Sequence, residues 1–252
     1  MNIVAIIPAY NEGRGISKVI LESAPFVSKV IVIDDGSHDD TSTYAQKAGA
    51  IVIRHPHNLG KGAACRSGFY GAMSLGCDAI IMLDGDGQHD PADIPKFVAT
   101  LQQCPQETGI VVGSRMADTK DMPLPRYLTN KFLSMLISFL AGTKIEDSQC
   151  GFRLIHRRVL EAVDYENNRY DAESEILVRA SRAGFSIHQV PVRTIYRDEC
   201  SKINVFWDTA RFFRFFFRHL FKSPPIAHSP AREISISLGQ SLNLGPNEEV
   251  RS

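Results

Sequence analysis

The chain has no surplus of charge: 28 lysines and arginines stand against 28 aspartates and glutamates. No broad field is therefore offered to nucleic acid, and no nucleic-acid partner is expected. Long apolar runs are lacking too. The richest stretch, Phe132 to Gly142, contains two serines and is about half the ~18–20 residues that a membrane-spanning helix requires. The opening MNIVAIIPAYNE has no basic stretch before its apolar run, and a proline soon interrupts it, so a secretory signal is not expected. Cysteine is sparse: Cys65, Cys77, Cys104, Cys150 and Cys200 are odd in number, scattered, and form no CxxC pair. They read as reduced thiols of the cytosol, excluding a disulfide framework or a zinc site. What remains is a soluble or peripheral protein. Its 252 residues, 44% hydrophobic and 22% charged, suit one ordinary globular domain with short appendages.

What is present is a rhythm. Compact apolar runs of strand length occur at Ile3–Ile7, Val30–Ile33, Ala50–Ile53, Ala79–Leu83 and Ile110–Val112. Between them, 16–24, 39–48, 62–76 and 91–103 have helical periodicity and polar caps. Strand–helix alternation predicts an α/β fold, its mostly parallel sheet covered by helices on both faces. Ligands of such sheets bind beyond the carboxyl ends of the strands. That places the chemistry in Pro8–Glu12, Asp34–Ser37, Asp84–Gln88 and Gly113–Arg115, where polar residues cluster. From Pro123 the alternation stops. An apolar helix is expected at 127–141, then the segment Asp147–Arg153, a helix near 171–184, and short strands at Ser186–Val190 and Val192–Tyr196.

The strongest chemical signal is Leu83-Asp84-Gly85-Asp86-Gly87-Gln88-His89-Asp90-Pro91. Two carboxylates at i and i+2 leave a strand end with a small residue between them and an amide two residues on. They supply hard oxygen ligands for Mg²⁺ or Mn²⁺, an ion that would complete its shell with diphosphate oxygens. Asp90-Pro91 is a helix N-cap and N1 pair. Asp34-Asp35-Gly36-Ser37 has two readings: a turn and cap, or carboxylates holding a base edge or a ribose hydroxyl. In Pro8-Ala9-Tyr10-Asn11-Glu12 the tyrosine can stack on a base and Glu12 can accept from it. Asn58-Leu59-Gly60-Lys61-Gly62 fails the P-loop pattern, yet offers backbone N–H groups and a lysine to phosphate.

PAYNE, VIDDGS, NLGKG, LDGDGQHDP and GSR, in this order, resemble family 2 of the inverting glycosyltransferases, and within it the dolichyl- or polyprenyl-phosphate mannose or glucose synthases. DSQCGFRL (147–154), YDAESEIL (170–177), VPVRTIY (190–196) and Glu199, Ser201 and Lys202 extend the likeness over about residues 1–220. The resemblance implies the GT-A fold over 1–202 and a nucleotide-sugar donor, GDP-mannose or UDP-glucose. It implies that Pro8, Tyr10, Glu12 and Asp35 bind the nucleotide; Asp34, Lys61, Asp84 and Lys202 are counted with them on the donor side. Asp84, Asp86 and Gln88 would hold Mg²⁺ or Mn²⁺ and the sugar diphosphate. Asp86 and Arg115 would be catalytic, with Arg115 facing the reacting phosphates. Arg126 matches a residue that holds the lipid phosphate. Asn130 stands where some relatives have serine, and its amide can still donate to phosphate.

The mechanism follows from the acceptor. Inversion needs in-line attack and a stabilised departing diphosphate. A sugar hydroxyl would need a general base, for which Glu173 or Glu175 are candidates, although both can instead cap their helix or pair with Arg179. A lipid phosphate is already anionic and needs cations to position it. Arg115, Lys120 and Arg126 in the 113–126 loop suit that acceptor, unless they are simply solvated. Two other readings stay open: transfer to a saccharide hydroxyl, and a non-catalytic nucleotide-sugar-binding subunit assembled with a small membrane protein.

Residues 203–222, INVFWDTARFFRFFFRHLFK, place Phe206, Ala210, Phe213, Phe217 and Leu220 on one helical face and Arg211, Arg214, Arg218 and Lys222 along another. Such an amphipathic helix can lie in a membrane interface or pack on the core. The 127–141 helix would be a second lipid-facing element. Residues 223–252, rich in Pro, Ser, Asn and Gly, read as a disordered tail. The expected location is the cytoplasmic face of a membrane, held peripherally.

Overall fold

The computed structural model describes residues 1–103, 108–117, 119, 122–163, 172–193 and 216. A seven-stranded sheet has the order β3-β2-β1-β4-β6-β5-β7. The strands are β1 (Ile3–Ala9), β2 (Lys29–Asp34), β3 (Ile51–Arg54), β4 (Ala79–Met82), β5 (Thr108–Ser114), β6 (Arg153–His156) and β7 (Ser186–Pro191). The helices are α1 (Ile16–Ser23), α2 (Thr41–Lys47), α3 (Lys61–Ser74), α4 (Ile94–Gln103), α5 (Leu124–Ala141), α6 (Arg157–Ala162) and α7 (Ala172–Arg182).

Every residue of β1 and β5 is buried. Successive side chains point to opposite faces of a strand, so the sheet is covered on both. Helix α3 lies close over one face: a Cβ at Gly68 would meet Ile33 and Ile6, and one at Gly71 would meet Ile53 and Ile31.

β3, β2, β1 and β4 pair in parallel, as do β5 and β7. The exception is β6, antiparallel to both β4 and β5, with Arg153 opposite Met82 and Val112. β6 therefore enters from the edge where the others end, so the loop 147–152 arrives at the carboxyl ends of β4 and β5.

The sequence reading recovers the first four strands and the helices between them, and it needs four corrections. α5 begins at Leu124, so Pro125 and Arg126, expected in the loop 113–126, open the helix instead. β5 extends through Ser114, so Gly113 and Ser114 belong to the strand. β6 and α6 were not expected: Arg153-Leu-Ile-His is four residues long, begins with a charge, and runs into α6 without a turn residue. Val192 and Arg193 lie beyond the last strand residue, although Val192 N–H still donates to Ser114 O at 3.1 Å. Residues 194–196 of the expected strand Val192–Tyr196, Lys120, Glu199, Ser201, Lys202, the rest of 203–222 other than Phe216, and 223–252 lie outside the described residues. Phe216 is partly buried and packs against the core. No helix among the described residues is long and apolar enough to cross a membrane.

Candidate active site

Three of the expected segments turn at one sheet edge. Asp34, the last residue of β2, is fully buried; its oxygens accept from Ser37 N–H at 2.8 Å and from the Ser42 hydroxyl. That is the turn-and-cap alternative. Gly36 has φ 74°, and a Cβ there would come within 2.5 Å of the His57 backbone, so glycine alone permits this turn. Asp35 accepts from Leu59 N–H at 2.9 Å and Gly60 N–H at 2.8 Å, and Oδ1 lies 2.7 Å from His55 Nδ1. His55 Nε2 is in turn 2.9 Å from Ser67 Oγ. Asp35 thus fixes the Asn58–Gly62 loop and aims Lys61, the first residue of α3. Pro8 and Ala9 close β1 as buried residues, and Tyr10 stands edge-on to His38 with ring centroids 6.4 Å apart. Glu12 N–H donates to Thr41 Oγ1 at 2.9 Å, tying this loop to α2.

The carboxylate pair follows β4. Asp84 Oδ1 lies 2.5 Å from Lys61 Nζ, which also sits 2.6 Å from Glu173 Oε1 on α7. Burial alone would push the Lys61 ammonium toward deprotonation. The charges of Asp84 and Glu173 outweigh it and hold its pKa well above the usual lysine range. Burial would raise Asp84, but Lys61 and His89 bring it down to about 2. Asp86 moves the other way: burial and the adjacent Asp84 charge raise it, although it accepts from Gln88 N–H at 2.9 Å. Asp84 N–H donates to His89 Nδ1 at 3.2 Å, so the ring proton belongs on Nε2, 3.9 Å from Asp84 Oδ2. Burial against Phe152, with ring centroids 5.1 Å apart, lowers the His89 pKa.

The loop 147–152 closes this cup. A Cβ on Gly151 would lie 2.6 Å from Asp84 Oδ2, so a larger residue there would push the carboxylate aside. Arg153, fully buried, donates from Nε to Cys150 O at 2.7 Å, from Nη2 to Ser148 O at 2.7 Å, and from Nη1 to Glu173 O. It binds the loop to the start of α7. Arg115, after β5, is held in a buried fork by Asp147; its charge also helps keep Asp84 ionised.

Arg126 is half-buried in the first turn of α5. Asn130, one turn on, is buried, and its side-chain nitrogen has no hydrogen-bond partner among the described residues. Ser134, a further turn along, accepts from Ser148 N–H at 2.8 Å and so ties α5 to the loop beside Asp84. On its outer side α5 exposes Leu124, Leu128, Phe132, Met135 and Phe139, spaced by four and three residues along one face.

The sequence by itself assigns no firm role to Glu173, Asp147, Arg153, His55 or His89. Their segments were legible, but their partners lie far along the chain. Glu175, considered as a base, is buried and pairs with Arg179 at 2.8 Å.

Comparison with known proteins supplies the family. Residues 4–164 match the family model "Glycosyl transferase family 2". An uncharacterized protein of Methanocaldococcus jannaschii is 34% identical over 203 residues, covering 78% of this chain and 82% of the relative. The UDP-N-acetylglucosamine–dolichyl-phosphate N-acetylglucosaminyltransferase of Methanococcus voltae is 33% identical over 220 residues, covering 78% and 86%. Among solved structures, glucosyl-3-phosphoglycerate synthase from Mycobacterium tuberculosis, in complex with Mn²⁺ and UDP-glucose, superposes with TM-score 0.64 at 22% identity, covering 87% of this chain and 77% of that one. It has the same fold.

Proposed function

The chain belongs to glycosyl transferase family 2, and from that premise we propose that it moves a hexose, mannose or glucose, from a GDP- or UDP-sugar to the phosphate of a polyprenyl or dolichyl phosphate. The observation that carries this reading is the carboxylate pair Asp84/Asp86 at one sheet edge, tied through Ser148 and Ser134 to a helix with an exposed apolar stripe. The Methanococcus voltae relative, named for a dolichyl-phosphate acceptor, supports it.

On the donor side, Pro8, Tyr10, Glu12 and Asp35 would receive the nucleotide, with Asp34 holding their turn from behind. Asp84, Asp86 and the Gln88 side chain would hold Mg²⁺ or Mn²⁺. Their chemistry fits: the donors are hard oxygens, and Asp86 carries a charge that burial and Asp84 disfavour, which a divalent cation would relieve. Among the described residues no cluster of three acidic, His or Cys side chains could hold an ion. The ion would supply Lewis-acid stabilisation of the departing diphosphate.

The reaction needs no general base. An oxygen of the acceptor phosphate forms a bond to the anomeric carbon while the bond from that carbon to the donor β-phosphate oxygen breaks, with inversion and release of the nucleoside diphosphate. Lys61, at the start of α3, would meet the diphosphate, and Lys202 is proposed as a further donor-side cation. Arg115 would face the reacting phosphates, its plane fixed by Asp147. Arg126 and the Asn130 side-chain nitrogen, which has no hydrogen-bond partner among the described residues, would receive the acceptor phosphate. The α5 stripe would lie in the acyl boundary of a cytoplasmic membrane face, with Arg126 and Lys131 at headgroup level. Glu175, one candidate base for a saccharide hydroxyl, is buried and paired with Arg179, and Glu173, the other, has Arg153 Nη2 3.7 Å from its carboxylate, which favours the phosphate acceptor.

The test is a donor panel of GDP-mannose, UDP-glucose and UDP-N-acetylglucosamine with purified protein, polyprenyl phosphate and Mn²⁺. The expected result is metal-dependent formation of a glycolipid phosphate from one donor. Transfer to saccharides, with none to lipid phosphate, would overturn the acceptor assignment.

A further inference from the structure

The candidate site already contains a cation of its own. Lys61 Nζ makes contacts of 2.5 Å and 2.6 Å with Asp84 Oδ1 and Glu173 Oε1, and its side chain is 22% exposed. An oxygen so tightly engaged by an ammonium is not free to ligate a divalent ion at the same time, because the two cations would repel at contact distance. The lysine is also aimed. Its backbone begins α3, and Asp35 grips the two preceding N–H groups.

We propose that Lys61 is a tethered placeholder cation: it occupies the Asp84 carboxylate in the donor-free protein and yields it to a divalent ion as its ammonium passes to the diphosphate of the arriving nucleotide sugar. This rests on the metal and donor reading above. Three features make the exchange feasible. The ammonium starts at a helix N-terminus, where unpaired backbone N–H groups also favour an incoming anion. Glu173 is not left uncompensated when the lysine departs, because Arg153 Nη2 stands 3.7 Å from its other oxygen. Asp84 exchanges one cation for another and never faces Asp86 bare. The consequence is coupling: metal alone must compete with Lys61, whereas metal with a nucleoside diphosphate need not, and by linkage each raises the other's affinity.

The test measures Mn²⁺ binding by electron paramagnetic resonance, with and without UDP or GDP, in wild type and in Lys61→Met. Removing the competitor should tighten Mn²⁺ binding to the nucleotide-free protein by roughly tenfold, the scale of one charge-assisted contact, and shrink the nucleotide-dependent gain by a similar factor. Mn²⁺ affinity that is unchanged or weaker in a folded Lys61→Met protein, while wild type binds Mn²⁺ in the presence of nucleotide, overturns the placeholder. Wild type that binds no Mn²⁺ even with UDP or GDP instead overturns the metal reading on which it rests. A measurement on the wild type guards against a variant that fails to fold. Reductive methylation read by mass spectrometry should label Lys61 faster with Mn²⁺ alone and slower once UDP or GDP joins it. Labelling of Lys61 that is indifferent to saturating Mn²⁺ refutes the exchange.

Discussion

Asp147 holds Arg115 by three bonds: Oδ2 accepts from the Arg115 backbone N–H at 3.1 Å and from Nε at 2.7 Å, while Oδ1 accepts from Nη2 at 2.8 Å. Both residues are buried. Asp147→Ala would strand a buried guanidinium and should cost about 3–5 kcal/mol, read as a lower urea midpoint. Pairing Asp147→Leu with Arg115→Met removes both charges and should recover much of that loss. A double variant as unstable as the single would show that the pair is not the source of the cost.

Asp86→Asn separates function from stability. Loss of a ligand that stabilises the departing diphosphate should lower kcat by roughly a hundredfold or more. The metal-free variant should nevertheless melt higher at neutral pH, because Asp86 is raised by burial and by Asp84 and its ionised form opposes folding. For an acid whose folded pKa is raised, that cost is present where the carboxylate is ionised and vanishes below the ordinary carboxylate range. The gain in Tm should therefore fade as the solution is acidified. Equal melting at neutral pH would remove the like-charge argument.

Arg126→Ala should raise the KM for polyprenyl phosphate far more than that for the donor, since its assigned partner is the acceptor phosphate. Parallel increases in both constants would give Arg126 another role.

The α5 stripe is tested by replacing Phe132, Met135 and Phe139 together with serine. They are 45%, 59% and 69% exposed, so the fold should tolerate the change. Each large apolar side chain withdrawn from a lipid interface forfeits up to about 1.5–3 kcal/mol, so vesicle partitioning should fall by at least roughly tenfold. Nucleotide binding should be unchanged. Wild-type partitioning by the folded triple variant would remove α5 from the membrane assignment.

The parts of the fold visible in the sequence were those written in local periodicity. The runs at Ile3, Val30 and Ala79 announce themselves because strands buried on both faces demand continuous apolar, largely β-branched residues; the Ala50 run, at the sheet edge, shows the same residue types although it is only partly buried. Asp84 and Asp86 were legible for a similar reason: their spacing is local and their residue type is costly to bury unpaired. β6 was hidden because its pairing depends on β4 and β5, and Arg153 looks like a surface charge until its three backbone acceptors are located. Lys61 and Glu173 were each seen alone. Their meeting at Asp84 joins the starts of α3 and α7, which only the folded chain brings together.

The reversed direction of β6 also bears on the order in which competence is acquired. A ribosome delivers the chain from its N-terminus, so β1 to β4 and the acidic rim are made before the residues that enclose that rim. Asp84 then has Lys61 as its companion, but not Gly151, Arg115 or Glu173. The strand that carries Arg153 must insert between β4 and β5, placing the loop beside Asp84 in the same movement. Insertion of β6 and placement of the loop 147–152 beside Asp84 are thus one event, so a chain ending before residue 153 would carry that loop without the strand and the buried arginine that anchor it.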